Sequence, residues 1–378
     1  MRFSSNVVAA ALALGCAVAF AQSPAAAFKD PSPHRSHTVD VGNGVQLEVL
    51  DWGGRGRPVV LLAGLPHTAH EFDDFAPRLA RFGHVYGITR RGFGRSSAPQ
   101  TGYASDELAN DVLAVIAALH LSRPVLIGHS FAGLELSSIA SRQPQKIAGV
   151  VYLDANFGNN PDDASLWYSR LDWKQHFDDL KAKLAFLEKQ PDDPDDAIRE
   201  LLDKTWPAFQ HDLETFLAAN RARPPFPSAT DADRVSYSAV RAWYARGNGV
   251  EIPEAEFREI LATDPDGHPR INFRQPAYVN VAISKGQQRY PKIEAPALGI
   301  FAIWDKPRPS DPGDKQAQAD AAAYADTQAH RVALRVDRFR EMAPQARVLE
   351  VHLANHYVFM SNEAEVLAAI KNFIAELP

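Results

Sequence analysis

Cysteine is almost missing from this sequence: its 378 residues contain one, Cys16. With no intrachain disulfide available, a fold of this size must rest on its hydrophobic core. An excess of positive charge is missing too. Lys and Arg number 40 against 46 Asp and Glu, for a formal net charge of −6, so there is no global basic footprint and nucleic acid is excluded as a general partner. The mean hydropathy of −0.26 excludes a multi-span membrane protein. The one His-x-x-x-His spacing, His352 to His356, runs from the last expected strand into the loop after it rather than along a helix, and no Gly-rich phosphate loop occurs. The acidic cluster of Asp192, Asp193, Asp195 and Asp196 lacks the ordered ligand spacing of a calcium loop and reads as a solvated loop. No metal and no cofactor are therefore expected.

What is present is an ordinary globular composition, 46% hydrophobic and 23% charged, enough for one large domain with an insertion or for two domains. The N-terminus carries Met1-Arg2, an apolar stretch over 7–20 and the small-x-small triplet Ala19-Phe20-Ala21. This reads as a secretory leader, residues 1–21, cleaved after Ala21. Its apolar part falls short of the ~20 residues of a span, so stable membrane insertion is not expected. The mature chain would be periplasmic or extracellular and free of cysteine. Residues 22–36, rich in Ala, Pro and Ser, read as a linker outside the fold.

From residue 37 the pattern is strand-like. Segments 37–41 and 45–52 flank Gly42-Asn43-Gly44, a hairpin signal. The run 58–63 is continuously apolar, as in strands covered on both faces. Helical and apolar strand-length segments then alternate through residue 156, which implies a parallel sheet with helices on both faces. The rhythm stops over 157–294, where helical stretches are broken by Pro and Asp clusters, and it resumes at 296. The expected architecture is a core of residues 37–156 and 295–378 interrupted by a helical insertion of 157–294.

Ser130 lies in Gly128-His129-Ser130-Phe131-Ala132-Gly133, between an apolar strand and a helix. A strained strand-to-helix turn of this kind lifts a serine hydroxyl clear of the sheet, and the small residues two positions before and after keep the neighbouring backbone away. Ala132 stands where the common pattern has Gly. Ser130 is the expected nucleophile, and the N–H of Phe131 a donor to a developing oxyanion.

Together with Leu61-Leu62-Ala63-Gly64-Leu65-Pro66 and Arg91-Gly92-Phe93-Gly94-Arg95-Ser96, this turn resembles the α/β-hydrolase family over most of the mature chain outside the insertion. The resemblance implies an α/β-hydrolase fold, with the insertion as a helical cap. It also implies a Ser–acid–His order along the chain. His356, in Ala354-Asn355-His356 after the last expected strand, matches the family's base, and His352 reads as a structural strand residue. Asp305, after the run 296–304, matches the family's acid, although Ala302 replaces a Gly there. Asp154, at the end of the run 150–153, remains the alternative, since some relatives place the acid there; Asp311 lies farther into its loop. The N–H of Leu65 corresponds to the second oxyanion donor. Ala63 stands where the family often has His, and His67 and His70 read as surface histidines.

The insertion is rich in aromatics, among them Trp167, Tyr168, Trp173, Trp206, Tyr237, Trp243 and Tyr244. Most would form its own core and some would line an apolar pocket. A serine at the nucleophile position departs from the aspartate route of dehalogenases and epoxide hydrolases in this fold. The expected activity is hydrolysis of a carboxylic ester of a small, apolar or aromatic substrate through an acyl-enzyme, rising as His356 becomes neutral near or above its reference pKa of about 6.5. Two alternatives stay open: an amide or carbon–carbon bond on the same residues, and a non-catalytic small-molecule binder. No sequence feature specifies an oligomeric state.

Overall fold

The computed structural model describes residues 28–158, 169–189, 191, 193–211, 213–214, 226–303 and 315–378. The chain divides into two compact units, Met1–Pro31 and Ser32–Pro378. Of the first, only 28–31 are described, without regular secondary structure; the expected leader and Cys16 lie outside the described residues.

The second unit is built on eight strands: β1 (Arg35–Asp40), β2 (Gln46–Gly54), β3 (Pro58–Leu62), β4 (His84–Ile88), β5 (Val125–His129), β6 (Gly149–Leu153) and, after a small two-stranded sheet, β9 (Ala297–Ile303) and β10 (Arg347–His352). Their order in the sheet is β1-β2-β4-β3-β5-β6-β9-β10. The pairs from β4 to β10 are parallel, while β1 and β2 join antiparallel. Alternation explains the continuous apolar runs. Val59 and Leu61 of β3 enter the core on one face with Val125, Ile127, Val151 and Ile300. Val60 and Leu62 enter the core on the other with Leu126, Val150, Tyr152 and Phe301. Side chains two apart share a face, so a strand covered by helices on both sides needs an apolar residue at every position.

Two expectations change. The linker expected over 22–36 ends early: β1 begins at Arg35, and Ser32 Oγ donates to Asp73 O at 2.9 Å while accepting from Trp52 Nε1 at 2.9 Å. The inserted segment is also not wholly helical. Besides helices such as Tyr237–Asn248 and Glu254–Ile260 it carries the antiparallel pair β7 (Leu261–Thr263) and β8 (Pro269–Phe273). Its aromatics divide. Tyr237 is buried, whereas Phe186 and Trp206 are about half exposed, at 45% and 49%. Trp167, Tyr168 and the side chain of Trp173 lie outside the described residues. Among the described residues no helix is long and apolar enough to cross a membrane.

Candidate active site

β5 delivers Ser130 at its C-terminal end, where the chain turns into the 3-10 turn Ser130–Ala132 and then the helix Gly133–Arg142. Ser130 has φ +53°, the left-handed region that non-glycine residues adopt only under constraint. Gly128 is needed for close approach: a Cβ there would meet Leu136 and Ala132 at 3.0–3.1 Å. Gly64, on the loop after β3, passes so near that a Cβ would stand 2.9 Å from Ser130 Cβ. Leu65 packs in one small cluster with Phe131, Phe93 and Val279. The structure thus brings Ser130, Leu65 and Phe131 together.

His356 follows β10. Its Nε2 lies 3.0 Å from Ser130 Oγ, and its Nδ1 lies 2.7 Å from Asp154 Oδ2. The Nδ1–H donates to the carboxylate, which leaves Nε2 to accept the serine proton. This corrects the preference for Asp305, which lies outside the described residues, as does Asp311. The carboxylate on His356 is that of Asp154, the alternative. The reason is topological. β6 is the immediate neighbour of β5, with His129 in register with Leu153, so the residue after Leu153 emerges beside the residue after His129. Asp154 also has positive φ, +41°. His352 stands exposed at the end of β10.

Asp154 is buried, and donors surround it. Arg335 Nη1 donates to Oδ1 at 3.2 Å, and the Ala302 N–H donates to the same oxygen at 3.3 Å. Burial alone would raise its pKa. The Arg335 charge, the His356 contact and the Ala302 N–H outweigh burial and bring it down to about 2. For His356 burial lowers the pKa, and the nearby charges of His129 and Arg335 lower it further, against the raising effect of Asp154; the net shift is downward. The imidazole is therefore neutral at neutral pH, as a general base requires.

A second buried layer supports the first. His129 Nδ1 pairs with Glu71 Oε1, His129 Nε2 faces the His356 carbonyl oxygen at 3.1 Å, and Glu71 Oε2 accepts from the Gly64 N–H at 3.0 Å. Burial would raise the Glu71 pKa, but the charge and hydrogen bond of His129, with His67 and the Gly64 N–H, lower it. Arg90 donates to the Ala63 carbonyl at 2.8 Å while gripping Glu135 at 2.6 and 2.8 Å. Arg90 and Glu71 thus brace the loop at the position where a histidine is common.

His67 and His70, expected at the surface, are 2% and 5% exposed. His67 Nδ1 faces Glu256 Oε1 at 3.1 Å and its Nε2 faces Tyr357 Oη at 2.9 Å; Tyr244 Oη reaches Tyr357 Oη at 3.1 Å. Glu256 also accepts from the Thr68 N–H at 3.0 Å and Oγ1 at 2.5 Å. Burial would lower the His67 pKa, but the Glu256 hydrogen bond and the charges of Glu71 and Glu256 raise it. The inserted segment is thereby tied to the loop after β3 and to the residue after His356. Sequence reasoning missed Glu71, Arg90, Glu256 and Arg335. Glu256, between Ala255 and Phe257, and Arg335, between Leu334 and Val336, had the signal of a charge amid apolar neighbours; Glu71, beside His70, and Arg90, beside Arg91, had none.

A sequence profile described as the alpha/beta hydrolase fold matches residues 57–221, the stretch that contains β3 to β6 and Ser130. Over that stretch, under half of the chain, the sequence is similar to the family, and the chain has the α/β-hydrolase fold. It is 35% identical over 159 residues to a non-heme chloroperoxidase from Streptomyces lividans, covering 39% of this chain and 54% of that protein. It is 28% identical over 166 residues to a 2-(acetamidomethylene)succinate hydrolase from Mesorhizobium japonicum, covering 43% and 59%. The matches thus span little more than half the length of these relatives. The crystal structure of an E-2-(acetamidomethylene)succinate hydrolase superposes with a TM-score of 0.54 at 19% identity, over 90% of this chain and 99% of that one. At that identity the likeness speaks for the α/β-hydrolase fold alone.

Proposed function

We propose that this α/β-hydrolase-fold protein is an exported serine hydrolase that cleaves a carboxylic ester of a small apolar or aromatic substrate. The observation that carries the reading is the relay Ser130 Oγ–His356 Nε2 at 3.0 Å and His356 Nδ1–Asp154 Oδ2 at 2.7 Å, beside the loop that contains Leu65. His356 takes the Ser130 proton as Oγ attacks the carbonyl carbon. The resulting oxyanion accepts from the N–H groups of Phe131 and Leu65, each such donor contributing ~3–4 kcal/mol. His356 then passes its proton to the leaving oxygen, which departs as the alcohol and leaves an acyl group on Ser130. Water, deprotonated by His356, attacks the acyl carbon, and the acid leaves as Ser130 regains its proton. Asp154 holds the imidazole tautomer and balances the imidazolium charge.

Support for the ester comes from the 31% identity over 155 residues to a bifunctional esterase/perhydrolase from Acinetobacter calcoaceticus, which covers 39% of this chain and 53% of that one. The match to the 2-(acetamidomethylene)succinate hydrolase favours a second reading, an amide on the same residues. A panel of p-nitrophenyl esters and acyl amides separates the two. Ester turnover that disappears in Ser130→Ala supports the first reading, and turnover confined to amides replaces it with the second. Export is tested by N-terminal sequencing of the protein recovered outside the cytoplasm, which should begin at Gln22.

A further inference from the structure

Around the turn that carries Glu71, a second group of chemistry-bearing side chains converges. His70 and Asp73 stand three residues apart, on and just beyond the turn Ala69–Phe72, a spacing that puts both on one side of a helical turn. His34 arrives from the segment before β1. Asp73 Oδ1 lies 3.2 Å from His34 Nδ1, and Asp73 Oδ2 lies 2.7 Å from His70 Nδ1. One donor atom from each of the three can be chosen so that all lie within 4.8 Å of one another. The side chains of His70 and Asp73 are 6% and 3% exposed, and that of His34 is 10%.

We propose that His34, His70 and Asp73 form a binding site for a late first-row divalent cation, with Zn²⁺ as its representative. Two imidazoles and one carboxylate are the donors such ions prefer, whereas calcium and magnesium take oxygen alone. The arrangement fits. Two imidazoles on one tetrahedral ion at about 2 Å hold their ring centres about 5 Å apart, and those of His34 and His70 are 5.1 Å apart, nearly perpendicular at 73°. Glu48 Oε1, 4.0 Å from His70 Nε2, adds negative field on the same side. The ion takes the place of the protons between Asp73 and the two imidazoles, each imidazole ligating through Nδ1 with its N–H on Nε2. One ligand pair is local and the third is distant in sequence, so the ion pins the segment before β1 to the turn that carries Glu71. No motif spacing announces such a site, because its ligands are separated by the whole of β1, β2 and β3.

The test is titration of ZnCl₂ into the chelator-treated full chain, followed by calorimetry and by the thermal midpoint. The site predicts one Zn²⁺ per chain and a raised midpoint. His34→Gln and Asp73→Asn should each weaken binding at least ~100-fold, since losing even an outer-shell partner costs 10–100-fold. His37→Gln, at an exposed position of β1, should bind as the parent does. His34 lies on a peripheral segment, so its variant keeps the test open if Asp73→Asn fails to fold. Absence of stoichiometric Zn²⁺ uptake by the parent, or undiminished uptake by His34→Gln, overturns the proposal.

Discussion

A carboxylate as buried as Asp154 stays ionised only when donors replace the water it has lost, and Arg335, Ala302 and His356 supply them. The same carboxylate is the one that can hold His356 in the tautomer the proposed reaction needs. Asp154→Asn should therefore lower kcat by about 10⁴, while Asp305→Asn stays within a few-fold of the parent; steady-state ester kinetics compare the two. The pH profile follows from the same residues. His356 is shifted below 6.5, first by burial and then by the charges of His129 and Arg335. The acid limb of kcat/KM should thus lie below pH 6.5, lower than the sequence alone suggests. Arg335→Gln removes one of those charges, so the limb should move to higher pH. Stability carries its own signature. The pKa of Asp154 drops from 3.8 unfolded to about 2 folded, so its contribution is complete above pH 3.8. It is lost as the pH falls from there through about 2, which acid titration followed by circular dichroism would register.

At the scale of elements, the strands that position the site were the most legible. The runs that became β3, β6 and β9 are apolar at every position, as is β5 up to His129, and the strand–Ser130–helix turn is a local pattern. Elements whose reasons lie elsewhere in the chain could not be read. The start of β1 depends on pairing with β2, since five of its six residues are exposed. His67 and His70 look like surface residues because their partners, Glu256 and Asp73, carry no periodic signal. Asp154 and Asp305 follow adjacent strands, and only the register of β6 against β5 decides between them. The clamp of Glu71 and His129 belongs to this scale as well, because it joins the loop after β3, the end of β5 and the loop after β10. Glu71→Gln removes the carboxylate shared by His129 and the Gly64 N–H and should destabilise the fold by about 1–3 kcal/mol. Urea denaturation measures this.

For the whole molecule, the sheet order places β3, β5, β6 and β10 so that the loops at their C-terminal ends meet over Ser130, the edge of a parallel sheet where the groups of an active site gather. The inserted segment reaches that edge through Tyr244 on Tyr357 and Glu256 on His67. Substrate choice is therefore proposed to reside in that segment, whose aromatic content was visible in the sequence but whose packing was not. The central claim, that the whole assembly serves to make Ser130 a nucleophile, is tested most directly by labelling the protein with a fluorophosphonate probe and locating the adduct by peptide mass spectrometry. The account predicts stoichiometric labelling of the parent on Ser130 and none in Ser130→Ala. A folded parent that stays unlabelled, or carries the label on another residue, would contradict it.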